Sequence, residues 1–142
     1  MMVTEMLCTN DKYPEYNFSF KLDHDLNPEL VKDLLEVQAS HGLSCYLGHV
    51  VVSGENFWMP IRQYFTKPTK NVRYPGCVYI NLVGASLIFS YGIVTESAKV
   101  AKVGEVAEGD LEKVKSLGAA VWRDTVDSMA PKRILMTVTP KG

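Results

Sequence analysis

The chain has 142 residues, 46% of them hydrophobic and 22% charged, with a formal net charge of −1. That is the composition of one soluble globular domain, and a chain this long buries roughly two thirds of its unfolded surface, enough for a core without covalent staples. Near-neutral charge excludes the electrostatic footprint of a nucleic-acid or anionic-membrane binder, and the nearest approach to a basic patch, Lys67, Lys70 and Arg73, reads as a solvated loop.

Along the chain, residues 16–22 (YNFSFKL) put Tyr16, Phe18, Phe20 and Leu22 on one face and Asn17, Ser19 and Lys21 on the other, the period of a strand with one buried side. In the stretch that follows, Asn27 is a good N-cap, Pro28 suits the first helical position, and Glu29 favours the positive end of the dipole. Leu30, Val31, Leu34, Leu35 and Val37 then recur at helical spacing up to a stop at Gly42. From Cys45 the texture turns aromatic and β-branched, and Ser53-Gly54-Glu55-Asn56 predicts a hairpin turn between two strands. Residues 62–76 read as a long loop. Two apolar runs, CVYINLV and ASLIFSY, are separated by Gly84 and followed by the alternating SAKVAKVGEV. Asp110 caps a second helix with Leu111, Val114, Gly118, Val121, Trp122 and Thr125 on one stripe, and RILMTVT closes the chain as a strand.

Strands dominate this order, and their connections are mostly too short for parallel crossovers. The reading is an α+β, mainly β, domain built on a closed antiparallel sheet whose open ends two helices cover. No repeat, low-complexity tract or boundary interrupts it, so residues 1–142 are taken as a single domain. Cys8, Cys45 and Cys77 are odd in number and far apart, which argues against a disulfide framework or a zinc site and suits a reducing cytoplasm. The first residues lack a signal-peptide pattern, and no apolar run approaches the ~20 residues that span a bilayer.

The second half of the chain resembles bacterial proteins with a cyclophilin-like β-barrel, in particular an uncharacterised group of short single-domain members. The resemblance rests on SGENFWMPI at residues 53–61, YPGCVYINLVGASLIFSYG at 74–92, and a helix ending AAVWRD at 119–124 before the last strand. It implies an eight-stranded barrel with a helix at each end. It does not imply prolyl isomerase activity. Arg62 precedes Phe65, but the Gln-Gly-Gly-Asp stretch of true cyclophilins has no counterpart. Another branch of the fold holds the cucumopine and mikimopine synthases, which join histidine to 2-oxoglutarate by imine formation and cyclisation without a metal or organic cofactor. No motif here ties the chain to that branch, and fold alone names no chemistry.

Candidate site residues lie where strands meet turns. His49, in YLGHVVVS, is either a hydrogen-bonded strand histidine or a general acid–base, since imidazole titrates near neutral pH. Glu55 is either a solvated turn carboxylate or a base leaning over a barrel mouth, with Ser53 on the same rim. Ser90 and Tyr91 alternate, so one faces in and one out, and Gly92 lets the chain turn. Tyr79 and Asn81 fall across the adjoining hairpin. Trp122 reads as core or lid, and Arg123 as an anion contact or a helix-end cation. His24 sits in a charged loop and His41 at a helix end, and no two histidines have metal-site spacing.

The expected site therefore has His49 and Glu55 as catalytic groups. Ser53, Tyr79, Asn81, Ser90, Tyr91 and Arg123 are its substrate contacts, and no metal or cofactor takes part. The expected activity is small-molecule binding with acid–base chemistry on a carboxylate-bearing metabolite, in its most concrete form opine-synthase-like imine and cyclisation chemistry. The alternative is a binding module without chemistry. Phe57, Trp58 and Met59 place apolar groups on both faces of one strand, so a homodimer is a further expectation.

Overall fold

A computed structural model describes residues 2–52, 54–61, 74–81, 85–94 and 100–141. Nine strands are β1 (Glu5–Asn10), β2 (Phe18–Leu22), β3 (Leu43–Tyr46), β4 (Gly48–His49), β5 (Gly54–Pro60), β6 (Cys77–Asn81), β7 (Ser86–Val94), β8 (Ala101–Val106) and β9 (Leu135–Pro140). Among the described residues two helices, α1 (Pro28–His41) and α2 (Leu111–Val121), accompany them. A 3₁₀ turn at Pro14–Tyr16 precedes β2, and a π-helical turn at Trp122–Val126 continues α2.

All pairings are antiparallel and run β3-β9-β1-β2-β8-β6-β7-β5-β4. The two edges of that order, β3 and β4, are consecutive in the chain and separated by Leu47 alone. One stretch therefore pairs with β9 through β3 and with β5 through β4, which brings the sheet round into a nearly closed barrel. Counted as a single bent stave, residues 43–49 reduce the nine strands to the eight expected from the sequence. β1 is the strand that sequence patterning did not assign. Its Met6 and Cys8 are buried, and it joins β2 to β9.

An eight-stranded barrel either packs its interior with side chains or holds a small ligand, and this one is packed. Phe57 and Phe89 stack at 5.1 Å between ring centroids, and Phe18 meets Phe89 edge-on at 5.4 Å. Burying each such ring contributes roughly 1.5–3 kcal/mol. Any ligand site must then sit at a mouth rather than in a lumen.

The helices close the two mouths. Leu30, Val31, Leu34 and Val37 of α1 and Val114, Leu117 and Val121 of α2 join one core cluster. β2 runs from the α2 end, where the Ser19 N–H donates to Asp110 Oδ2 (2.9 Å), toward the turn that leads into α1. Both N-cap positions are as the sequence predicts, but neither side chain caps its helix. Asn27 Nδ2 donates to the Lys102 carbonyl (2.8 Å) and Asp110 takes the Ser19 amide, so each ties its helix to a strand instead. Of the apolar trio on β5, Phe57 and Met59 enter the barrel. Trp58 lies on the outer face, packed with Cys77, Tyr79, Ile88 and Val100, so this chain itself supplies part of its covering. Among the described residues no helix is long and apolar enough to cross a membrane.

Candidate functional site at the α2 mouth

The site begins with a register shift. β5 and β7 pair Gly54 with Val94 and Asn56 with Ser90, so Glu55 alone faces three residues, Tyr91, Gly92 and Ile93. A bulge of this kind re-aims side chains. Here it lays the Glu55 side chain along β7, where Oε1 accepts the Ile93 N–H at 3.0 Å. Gly92 makes this possible, because a Cβ at that position would lie 2.2 Å from Glu55 Oε1. The hydroxyl, phenol and glycine in a row are thus a bulge built around a carboxylate.

Tyr91 points inward at the top of the aromatic core, its ring 6.1 Å from Phe57 and pressed against α2. A Cβ at Gly118 would fall 2.3 Å from the Tyr91 ring, so the helix approaches only because that residue is glycine. His49, at the end of β4, meets the phenol: Nε2 lies 2.5 Å from Tyr91 Oη, and Nδ1 lies 2.7 Å from the Val50 carbonyl. A carbonyl only accepts, so Nδ1 carries the proton and Nε2 accepts from the Tyr91 hydroxyl. Burial holds the His49 pKa below its usual value, against the opposing pull of the Val50 carbonyl and the Glu55 charge. Burial, with the Glu55 charge adding to it, pushes Tyr91 up to about 12. At neutral pH the pair is an uncharged imidazole and an uncharged phenol beside a carboxylate.

Two adjoining hollows open here, sharing Glu55, Tyr91 and Ala119 as walls. One, of about 370 Å³, is lined in addition by His49, Val50, Val51, Gly54 and Trp122. The other, of about 610 Å³, adds Tyr74, Pro75, Gly92, Ile93, Val94 and Lys115. Lys115 is an ammonium at the rim, 3.4 Å from Glu112 in an exposed pair of the kind that contributes little and opens readily. Sequence reasoning did not single it out. Its signal is the spacing of Lys115 and Ala119, which share a helix face with Gly118 next to them.

The structure divides the remaining candidates. Ser53 lies outside the described residues. Tyr79, Asn81 and Ser90 do not reach this mouth. Strand alternation puts Tyr91 inside and Ser90 outside, and Tyr79 pairs opposite Ile88, on that outer face. There Asn56 Oδ1 accepts from Ser90 Oγ at 2.5 Å and from Tyr79 Oη at 3.4 Å, with all three residues buried. Asn81 sits at the far end of β6, opposite Ser86. Arg123 turns away as well: Nη2 donates to Tyr13 Oη at 3.0 Å, and Nε lies 3.4 Å from Asp124 Oδ1. Trp122, its neighbour, is half-buried with its ring 5.0 Å from His49, a wall of the hollow rather than core. His24 donates to or accepts from nothing near the site; its Nε2 lies 2.6 Å from the Val3 carbonyl. Among the described residues no three His, Cys, Asp or Glu side chains gather as a metal site needs.

Fold and mouth together define a small antiparallel barrel with a titratable, aromatic-walled opening under a helix. Neither a family model nor a curated protein matches the chain. Among solved structures it is similar to McbB in complex with tryptophan, at 22% identity and a TM-score of 0.77 over 96% of this chain. The match covers 45% of McbB, so this chain spans less than half the length of that protein. It is also similar to the solution structure of the hypothetical protein AF2241 from Archaeoglobus fulgidus, at 11% identity and a TM-score of 0.61, covering 97% of this chain and 95% of that one. Both likenesses concern the fold.

Proposed function

We propose that the α2 mouth binds a small carboxylate-bearing metabolite and performs metal-independent acid–base chemistry on it. The observation that carries this reading is the His49–Tyr91 hydrogen bond, set beside Glu55 in a hollow that Val50, Val51 and Trp122 also line. Two titratable groups pushed toward their neutral forms next to an ionised third are the arrangement from which proton transfer is built. That McbB, part of which shares this fold, forms a complex with tryptophan supports an amino-acid-like ligand here.

The single proton of Tyr91 sets the roles. While it is donated to His49 Nε2, the phenol oxygen presents lone pairs to the mouth and can receive a proton from the ligand as its own passes to His49. Once His49 is an imidazolium, the chain reverses and Tyr91 donates to a carbonyl or carboxylate oxygen. Glu55, ionised and fixed through Oε1, can hold an ammonium or take a proton from an amine. Lys115 offers the ligand carboxylate its counter-ion. In the most concrete form, opine-synthase-like, an amine adds to a 2-oxo acid, the carbinolamine loses water with a proton delivered through Tyr91, and a ring carbon or nitrogen closes on the imine while Glu55 accepts the proton released. A binding module without chemistry would use the same hollows.

Native mass spectrometry of the purified protein, followed by calorimetry with tryptophan, histidine and 2-oxoglutarate singly and paired, tests the reading. Retention or binding of a carboxylate is expected, and a new covalent product from a pair separates enzyme from module. Tyr91→Phe removes one hydrogen bond, worth about 0.5–1.5 kcal/mol if neutral and up to ~3 with a charged ligand. Affinity should fall roughly three- to a hundredfold, and because His49 Nε2 loses its buried donor the fold should also lose about 1–3 kcal/mol. Binding untouched by Tyr91→Phe would move the site elsewhere.

A further inference from the structure

We propose that Trp122 is the positioning residue of His49, and that the π-helical turn carrying it is held from behind by a Tyr13–Asp124–Arg123 clamp. The indole thereby keeps the imidazole in the one orientation that aims its Nε2 lone pair at Tyr91.

The imidazole is bounded on three sides. The Val50 carbonyl takes Nδ1–H, the Tyr91 hydroxyl occupies Nε2, and the Trp122 ring meets it edge-on at 5.0 Å and 74°. The first two contacts fix the nitrogens only while the ring stays in plane with them. A histidine turned over about its outer torsion would lose both, and the indole packs edge-on against the ring in the orientation that keeps them.

Trp122 owes its place to an irregular backbone. Regular α-helix ends at Val121. Over the next five residues the Asp127 N–H reaches back to the Trp122 carbonyl at 2.9 Å, a five-residue step, and Thr125 Oγ1 donates to the Val121 carbonyl at 2.6 Å. Such turns are rare and recur at functional sites. This one is pinned at its far side. The buried Asp124 carboxylate accepts the Tyr13 hydroxyl, and Arg123 donates to the same phenol oxygen at 3.0 Å. The Lys132 N–H donates to the Asp124 carbonyl at 2.8 Å. Tyr13 is itself held, its N–H on Asn10 Oδ1 at 2.6 Å and its ring stacked on Tyr16 at 5.7 Å. A line of contacts therefore runs from the end of β1 to the imidazole, and its members other than Trp122 do not line the hollow.

Among the described residues the ionisable groups around His49 are few. Tyr91 faces it from β7 and Glu55 from β5. α2 contributes Lys115 to the adjoining hollow, while Arg123 and Asp124 of the π turn face Tyr13. None of these is removed by replacing the indole. What changes is access of water to the ring, and burial is the main cause of the lowered His49 pKa.

The proton titration of His49 in the free protein tests this without any ligand, so its outcome is independent of the proposed function. The three histidines are followed by NMR through their ring protons, and the His49 tautomer through its ring nitrogens, with His24 and His41 as internal references. In Trp122→Ala the His49 midpoint should rise and the Nδ1–H tautomer lose its dominance, while Trp122→Phe keeps both closer to wild type. Tyr13→Phe, remote from the hollow, should move the midpoint in the same direction by less. A folded Trp122→Ala protein with unchanged midpoint and tautomer overturns the proposal. If Trp122→Ala does not fold, Tyr13→Phe decides alone, and a His49 titration identical to wild type overturns it there.

Discussion

On the inner face of the β5–β7 pair, Glu55 and Tyr91 meet His49 at a hollow; on the outer face of the same two strands, Asn56, Ser90 and Tyr79 meet one another, all three buried. The two clusters are one residue apart in sequence on each strand. The outer one is built of an amide and two hydroxyls, groups that do not change charge near neutral pH, and each hydroxyl is turned on to the same amide oxygen. The inner one contains a carboxylate, an imidazole with both nitrogens engaged, and a phenol whose oxygen keeps lone pairs beyond the bond it donates to His49. Polar groups buried in a β-barrel wall can therefore serve either cohesion or chemistry, and whether they titrate and line a hollow bears on which.

Asn56→Ala should break the outer cluster at the largest cost. The buried Ser90 hydroxyl loses its acceptor, and a buried polar group left unsatisfied costs about 1–3 kcal/mol. Urea denaturation should show that loss while the His49 titration stays as in wild type. A loss below about 0.5 kcal/mol, typical of a surface change, would mean that the outer cluster contributes no cohesion.

Gly118→Ala probes the inner face through its packing. Helix propensity alone favours the alanine by roughly 1 kcal/mol. Its Cβ, however, would press on the Tyr91 ring at 2.3 Å, and overpacking of this kind costs about 1–3 kcal/mol. The melting temperature should fall rather than rise, and the displaced phenol should release His49 Nε2. A stabilised variant with the hydrogen bond intact would show that the ring yields freely, and the mouth would then be softer than its geometry suggests.

Acidification should weaken the inner face selectively. His49 has a folded-state pKa below its unfolded value near 6.5, so the unfolded chain binds the proton more readily and stability rises with pH through the window below 6.5. The contribution of the neutral imidazole is present above that window and lost on descending through it. Comparing urea midpoints of wild type and His49→Gln at pH 8 and pH 5.5 isolates it: wild type should lose more than the variant on acidification. Equal losses would place His49 in water.

Much of this architecture is legible in the chain. The alternation at residues 18–22, the periodic apolar residues of α1 and the closing strand each follow from side-chain spacing, because one buried face imposes one period. β1 is not legible, since Met6, Leu7 and Cys8 are apolar in succession and show no alternation. Asn27 and Asp110 mark helix starts correctly, yet their side chains bond to Lys102 and Ser19, partners 75 and 91 residues away that no local pattern can announce. The same limit governs the site. The turn expected at Gly92 is a bulge inside β7, which continues to Val94. His49, Glu55 and Tyr91 stand out as polar groups beside apolar runs, and alternation separates Ser90 from Tyr91. Which of the two faces inward depends on the β5–β7 register and its bulge. Tyr79 follows Ser90 outward for that reason, and Lys115 enters only through the packing of α2 on Tyr91.

The smallest expected effect, and the most specific to the inner face, comes from Glu55→Gln. The change keeps the shape of the side chain and an oxygen for the Ile93 N–H, so the bulge should survive and stability should change little. What it removes is charge. The Glu55 carboxylate raises the pKa of both His49 and Tyr91, in each case as a lesser influence beside burial. Without it the two groups should move in the same direction: the His49 midpoint falls further below its ordinary value, because its cation loses a favourable neighbour, and the Tyr91 midpoint comes down, because its anion loses an unfavourable one. Parallel downward shifts distinguish an electrostatic neighbour from a structural one, since a disturbed mouth that admitted water would raise His49 while lowering Tyr91. Paired NMR and ultraviolet titrations of the variant read both groups. Opposite shifts would show that Glu55 props the mouth shut, and no shift in either would place its carboxylate out of electrical reach of the pair it is proposed to serve.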